Sequence, residues 1–441
     1  MGRASLQAIS RVGFVVNQVA SEVDYLLVVF HPSAVTIFAT EPSDVCRSAV
    51  AGAMSMATTS NPVTDYRSLR PEDATDSGAA WTRHITALHA GVPSKDRMMT
   101  NGTNSDRIHL TVDQARALGE AAMRGAGFDY EDARILTDHV MDAALCGYEY
   151  SGLPKLLNVV DYPSFKLPRK PVRIVQETGV TALLDGENTT GMIAAYRASE
   201  ATIQRARTHG LAVVCLGNTW MTGRSAYYCE MIARAGFVVI HTVASPPAVA
   251  PFGGTRPILG TNPIAFGFPT DGDPLLIDMG TSAFMGTDLQ FRARLGIPLP
   301  EGVALGPDGK PTTDAVTAHD GALLPFGGPE GGYKGFGLAL AMSALGALSA
   351  GVHSAGSVSG YMFFAFKPDL FLQSDSYRHE VSSRIAAIKA TPRQDGVSEI
   401  RIPGERGYAT RARLLREGIE IDLKIKVALE RLAAGKLDHG G

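Results

Sequence analysis

Residues 245–282 read SPPAVAPFGGTRPILGTNPIAFGFPTDGDPLLIDMGTS, and this stretch decides how the rest of the chain is understood. Pro246, Pro247, Pro251, Gly253, Gly254, Pro257, Gly260, Pro263, Gly267 and Pro269 interrupt short apolar runs. Gly and Pro at that density ordinarily mark turns and linkers. A solvated linker, however, does not carry Val, Ile, Leu and Phe between its turns. Rich in turns and apolar residues together, the segment predicts a buried, shaped loop system lining a site.

Toward the N-terminus of this stretch, strands and helices alternate. Val172, Ile174 and Thr181 to Leu184 predict short strands, Gly191 to Thr208 a helix, and Leu211 to Leu216 a strand. Tyr227 to Ala235 then predicts a helix and Phe237 to Thr242 a strand. Alternation of this kind predicts an α/β domain. No G-x-G-x-x-G follows an early strand, so a Rossmann dinucleotide site lacks its signature. Further upstream lies a helical part. Thr111 and Gln114 form a capping box ahead of Val112, Ala115, Leu118 and Ala122 at helical spacing. Asp129 can cap a second helix through Ala133, Leu136, Val140 and Ala143, and Pro154 suits the first position of a third. Downstream, Gly337 to Leu348 is apolar nearly all round, which predicts burial in the fold or against a second subunit. Ser398 to Asp422 predicts a strand, a turn at Pro403 to Arg406 and a charged helix.

The totals exclude several function classes. With 441 residues, 45% of them hydrophobic, the chain can bury a large core. A net charge of −3 and no long Lys/Arg run predict no nucleic-acid partner and no anionic membrane. The longest apolar runs fall short of the roughly 18 residues a membrane helix needs. Cys46, Cys146, Cys215 and Cys229 show no C-x-x-C spacing, and no H-E-x-x-H pattern or other metal-ligand spacing occurs. These features predict a cytoplasmic protein without a metal site. Residues 1–106 lack a sustained period and are expected to be poorly ordered. An alternative is a start assigned too far upstream, with Met98 or Met99 nearer the true beginning.

PPAVAPFGG, LGTNPIAFGFP, LIDMGTS, GVALGPDGKPTTD, PFGG, YKGFGLAL and IPGERG occur in this order between about residues 108 and 422. In these stretches the chain resembles the malate/L-lactate dehydrogenase family of NAD(P)-dependent oxidoreductases. This non-Rossmann group includes ureidoglycolate dehydrogenase, diketogulonate reductase, sulfolactate dehydrogenase and Δ1-piperideine-2-carboxylate reductase. The resemblance implies an α/β fold of that non-Rossmann kind, with an N-terminal helical part at 107–170 and a central mixed sheet within 171–400. A C-terminal strand and helix at 398–435 would complete an oxidoreductase domain spanning 107–435.

It also implies a site. Cofactor, NAD or NADP, would lie against Met221, Thr222, Gly223, Arg224 and Ser225, and against Met279, Gly280 and Thr281. Lys334 and Gly335, and the loop Pro403, Gly404, Glu405 and Arg406, would complete its surroundings. Glycine backbone can approach a pyrophosphate closely, and Lys334, Arg224 and Arg406 can supply charge to it. Thr261 would touch substrate, and the assembly would be a homodimer.

The chain departs from the family where protons move. The usual Asp-Ser-His-Gly reads Glu149-Tyr150-Ser151-Gly152, and the Arg four residues beyond the His is Lys155. A second site His falls at Met221, and the His before Lys-Gly is Tyr333. Histidine titrates near neutrality and serine does not, so Ser151 can only relay a proton or donate a hydrogen bond. Tyr150, acidified by Lys155, is then the local replacement acid, with Asp288 as an orienting carboxylate. Lys155 keeps a carboxylate partner for substrate but loses the fork of an Arg. The predicted function is NAD(P)H-dependent reduction, or the reverse oxidation, of a small 2-oxo, 2-hydroxy or cyclic 2-imino carboxylate. The alternative is a non-catalytic cofactor-binding or interaction protein that keeps the fold.

Overall fold

The computed structural model describes residues 106–352 and 359–437, together with the course of four strands nearer the N-terminus. The chain divides into two compact units, Met1–Thr103 and Asn104–Gly441. The first contains β1 (Val12–Val19), β2 (Glu22–His31), β3 (Ala34–Ala39) and β4 (Val63–Ser68), paired in that order with only the last pair parallel. The rest of the N-terminal stretch, including Cys46, Met98 and Met99, lies outside the described residues.

The second unit opens with β5 (Arg107–Leu110), α1 (Val112–Gly125), α2 (Tyr130–Leu145) and α3 (Pro154–Asp161). Both halves of the predicted capping box form: Thr111 Oγ1 accepts from Gln114 N at 3.2 Å and Gln114 Oε1 from Thr111 N at 2.9 Å. Asp129 Oδ1 accepts from Asp132 N at 2.8 Å and starts α2, and Pro154 starts α3. Met123, Ile135, Leu136, Leu156 and Leu157 of these helices bury against Leu429 and Leu432 near the C-terminus. Each such side chain contributes roughly 1.5–3 kcal/mol of transfer free energy. This core, rather than helix propensity, holds the layer together.

Then follow β6 (Arg173–Glu177), β7 (Thr181–Asp185), α4 (Gly191–His209), β8 (Leu211–Gly217), α5 (Ser225–Arg234), β9 (Val238–Ala244), β10 (Ile264–Phe268) and β11 (Leu275–Met279). After them come α6 (Gly286–Leu295), β12 (Ala304–Leu305), α7 (Ala315–His319), β13 (Ala322–Leu323), α8 (Gly328–Gly346), β14 (Gly360–Phe366) and α9 (Ser374–Lys389). The chain closes with α10 (Glu405–Glu417), β15 (Ile419–Asp422) and α11 (Leu423–Ala433). The central sheet runs β11-β10-β9-β14-β8-β7-β6; β7 and β8 are parallel and every other pair is antiparallel. This is the expected mixed sheet. Tyr228 and Ile232 of α5 and Ala194, Ala195 and Ala198 of α4 pack with Val214, Leu216, Val239 and Phe363 of the strands.

Two expectations need correction. No strand forms between Ser398 and Ile402; the C-terminal strand is β15, which pairs antiparallel with β5 through Ile419↔Leu110 and Ile421↔Ile108. Ile419 and Ile421 alternate into the helical core, whereas residues 398–402 have no strand to pair with. Second, α8 begins at Gly328, not Gly337, and Gly328–Val352, with a mean hydropathy of 1.7, is long and apolar enough to cross a membrane. It packs on β9 through small residues. A Cβ added at Gly346 would sit 2.3 Å from the Ala244 Cβ, a spacing only glycine allows.

Candidate active site

The turn-rich stretch is a set of interlocked backbone contacts. Asn262, fully buried at φ 36°, accepts from Ser245 N at 2.9 Å through Oδ1. Its Nδ2 donates to Ala339 O and to Ser343 Oγ, both at 2.9 Å, so one side chain ties the end of β9 to α8. Next to it, Thr261 O accepts from Thr281 N at 2.9 Å and from Thr281 Oγ1 at 3.0 Å. Thr281 O in turn accepts from Phe326 N at 3.0 Å, and a Cβ at Gly335 would fall 2.5 Å from Phe326 O. The predicted contacts Thr261, Thr281 and Gly335 are thus stacked together. The Thr281 hydroxyl is consumed within the stack. Met279 remains exposed, Gly280 lies against Met285, and Lys334 is exposed with its ammonium 5.8 Å from the Tyr333 ring centroid.

The segment Met221–Ser225 is held from several sides. Gly191 N donates to Trp220 O at 2.6 Å, Tyr228 Oη to Thr222 O at 2.6 Å, and Arg224 N to His139 Nε2 at 2.9 Å. Met221 adopts φ 58°, a conformation that costs a non-glycine residue free energy and persists only where its surroundings impose it. Gly223 takes φ +77°, and a Cβ there would overlap His139 Nε2. His139 is fully buried and stays neutral, because burial and then Lys155 and Arg224 pull its pKa well down. Its Nδ1 has no partner among the described residues.

Arg224 was a candidate phosphate contact, but its charge is already paired. Its guanidinium meets Asp142 at 2.5 Å, and Arg411 bridges Asp142 at 2.5 Å to Glu230 at 2.8 Å. The first turn of α5, which contains Ser225, is also occupied: Asp278 Oδ2 accepts from Ala226 N at 2.8 Å. Arg406 differs. It is exposed, has no carboxylate partner among the described residues, and lies 5.7 Å over the Tyr148 ring, which Arg224 also approaches at 5.5 Å. Gly404, at φ +92°, begins α10 without a side-chain cap. Glu405 is tied to Lys389 at 2.7 Å, and Pro403 is exposed beside it. The glycine turn with its unpaired Arg fits a phosphate; Met221–Ser225 offers shape more than charge.

The proton-handling segment is fixed from both sides. Arg107 of β5 holds Glu149 through two bonds, at 2.6 and 3.1 Å, and so sets the turn Glu149–Ser151. Ser151 is buried, and its N donates to Tyr148 O at 3.0 Å. Tyr150 meets Tyr148 edge-on at 6.1 Å. Its pKa is raised, first by burial, then by Asp288, Tyr148 and Asp278, with Arg224 opposing. The expectation of a phenol acidified by Lys155 is therefore corrected: carboxylates, not the ammonium, dominate its field. Asp288 accepts from Arg292 Nε at 3.2 Å. Lys155 is 4% exposed, and burial alone pulls its pKa down to about 8. Its Nζ donates to Thr287 Oγ1 at 2.9 Å. Below that bond, Asn158 pairs with Gln290 at 2.9 Å and with Arg294 at 3.0 Å, a polar ladder between α3 and α6.

Structure therefore joins Arg406, Tyr148, Tyr150, Asp288 and the Lys155–Thr287 pair in one continuous run. Thr261 borders it, since its Cγ2 lies 3.7 Å from where a Cβ of Gly286 would be. Sequence reasoning missed Thr287, Tyr148 and His139. Tyr148 had a signal, standing in the same aromatic turn as Tyr150. A lone His on an apolar helix and a Thr at a helix start had none.

The comparisons with known proteins agree on one family. The sequence matches the malate/L-lactate dehydrogenase family over residues 110–430. L-sulfolactate dehydrogenase of Methanocaldococcus jannaschii is 34% identical over 320 residues, which cover 69% of this chain and 91% of that protein. The structure of malate dehydrogenase from Pyrococcus horikoshii OT3 superposes with a TM-score of 0.67 at 29% identity, covering 77% of this chain and 98% of that one. Δ1-piperideine-2-carboxylate reductase from Pseudomonas syringae pvar. tomato gives a TM-score of 0.61 at 26% identity, over 74% and 99% of the two chains. The chain belongs to the malate/L-lactate dehydrogenase family and is an oxidoreductase of that type.

Proposed function

We propose that the protein is an NAD(P)H-dependent reductase, reversible as a dehydrogenase, of a small 2-oxo, 2-hydroxy or cyclic 2-imino carboxylate. The observation that carries this reading is the buried ammonium of Lys155 on Thr287, in a run that Thr261 borders at Gly286 and that continues through Asp288, Tyr150 and Tyr148 to the uncapped glycine turn at Arg406. A nicotinamide cofactor, NAD or NADP, would supply or accept the hydride. Arg406 and the Gly404 turn would hold its phosphates, with Lys334 as a second cation and with Met221–Ser225 and Met279–Thr281 shaping the remaining wall. Lys155 and Thr261 face the substrate. Tyr150, whose raised pKa keeps its proton through the neutral range, serves as a hydrogen-bond donor oriented by Asp288. Ser151 is the lesser polar neighbour.

The sulfolactate, malate and piperideine-carboxylate enzymes above support a 2-substituted carboxylate as the substrate class. A protonated imine accepts hydride without an enzyme acid at that instant, which favours imino acids in a site lacking the family His. The outward face of α8 and the turn after it support a homodimer: Tyr333 and Leu340 of α8 are each 55% exposed, and Leu348 just beyond it 56%. Cys146, Cys215 and Cys229 are buried free thiols, in keeping with a cytoplasmic setting. The reading is tested by titrating purified protein with NADH and NADPH by fluorescence, then following cofactor oxidation with a panel of 2-oxo and cyclic 2-imino acids. Turnover on at least one acid is expected. Tight cofactor binding with no turnover on any would leave a cofactor-binding protein instead.

A further inference from the structure

Lys155 is the second residue of α3, behind Pro154, and its Nζ meets Thr287, the second residue of α6. Two helix N-termini therefore direct their positive ends toward one ammonium. An ammonium has three protons to donate, and among the described residues Thr287 Oγ1 is the one acceptor it meets. Among the described residues, no carboxylate pairs with it. Asp288 is engaged with Arg292 and acts on Tyr150, and Asp161 is paired with Arg294. Of the other titratable and charged groups around it, His139 of α2 stays neutral, Tyr150 keeps its proton, and Arg224 is paired with Asp142. The surroundings thus favour release of a proton from Nζ, and the same two helix ends favour negative charge growing on a nearby oxygen.

We propose that the Lys155 ammonium, positioned by Thr287, delivers the proton that the substrate's heteroatom takes up during reduction. The proposal rests on the reductase reading and adds the atom that moves the proton. In the step, C2 of the substrate gains a C–H bond from the hydride of a reduced nicotinamide. The π pair of the C=O bond, or of an unprotonated C=N bond, moves onto the heteroatom, which bonds to a proton leaving Nζ. Lys155 is left as a neutral amine and regains its proton from water. In oxidation the neutral amine takes the proton from the hydroxyl or amine. Nothing else is consumed.

The competing role is structural, because Lys155 is also one rung of the α3–α6 ladder formed with Asn158 and Arg294. The first test reads the residue itself: reductive methylation of the intact protein across a range of pH, with labelling at Lys155 quantified by peptide mass spectrometry. Half-maximal reactivity near pH 8 is expected. Reactivity that rises only near the ordinary lysine value of 10.5, or no labelling at any pH, overturns the proposal, since a proton donor must be both acidic and reachable. The second test uses Lys155→Arg and Lys155→Met with NAD(P)H binding measured alongside turnover. Both variants are expected to lose on the order of 100-fold in kcat while binding cofactor as the parent does. An arginine variant with parental turnover would make the position a carboxylate clamp and overturn the proposal. Absence of cofactor binding in the parent protein would instead overturn the reductase reading itself.

Discussion

The stretch 245–282 and the segment 148–161 meet at the start of α6, and they differ in where their polar atoms go. In the first, the polar groups of Asn262 and Thr281 are used within the fold. The Asn262 side chain makes four bonds to three residues, and Thr281 spends its amide and hydroxyl on Thr261 O. In the second, Lys155 is buried with a single acceptor and Tyr150 faces a pair of acidic groups. The motifs that make the family recognisable are thus largely those that build its scaffold. The residues we propose for proton transfer lie in the segment that departs from the family pattern.

Substitutions can break this contrast, the strongest first. Lys155→Met should lower kcat by about 100-fold, the lower end of the range lost with a positioned acid. The same variant should gain stability at neutral pH. A folded-state pKa of about 8 against 10.5 means the unfolded chain holds more protons between those values, so stability rises with pH across that window. Below it the full penalty of the buried charge applies, on the order of 1–3 kcal/mol after allowing for the lost Thr287 bond. Urea unfolding of both proteins near neutral pH measures this, and a destabilised variant would mark Lys155 as a structural rung. On the other side of the contrast, Asn262→Ala should cost about 1–3 kcal/mol by leaving Ser245 N without its acceptor, read as a lower unfolding midpoint.

Smaller effects sharpen the cofactor end. Arg406→Ala should weaken NADH or NADPH binding by about 10-fold, the loss of one charge-assisted bond, with unfolding unchanged because the side chain is exposed. Arg224→Ala should instead destabilise, since it removes a partner of buried Asp142. Tyr150→Phe should reduce turnover only about 3- to 10-fold, as expected for one neutral hydrogen bond. A larger loss than that of Lys155→Met would return the acid role to the phenol.

Much of the fold was legible, for local reasons. The Thr111 capping box, the Asp129 cap and Pro154 at a helix start are interactions within a few residues, and each formed as written. The strand around Ser398 was misread because apolar alternation in Ile400 and Ile402 resembles a strand whether or not a partner exists; Ile419 and Ile421 have one in β5. The start of α8 was hidden by Gly327, Gly328, Gly331 and Gly332, which read as loop; of these, Gly327 is closed by Gly331 O and Gly332 by Phe252. Site positions were legible through motifs, but their electrostatics were not. That Arg224 is neutralised by Asp142, and that Lys155 meets Thr287 rather than a carboxylate, depends on residues 82 and 132 positions away. The direction of the Tyr150 shift reversed for the same reason.

The account's central claim is that the cofactor end of the site is retained while proton transfer has moved to Lys155. The most direct measurement is the pH profile of kcat/KM in the reductive direction, on the best substrate of the panel. The account predicts a fall as pH rises through about 8, where the ammonium is lost, and a matching rise in the oxidative direction. A reductive profile that stays flat to about pH 10, the ordinary range of a lysine or tyrosine side chain, would contradict it.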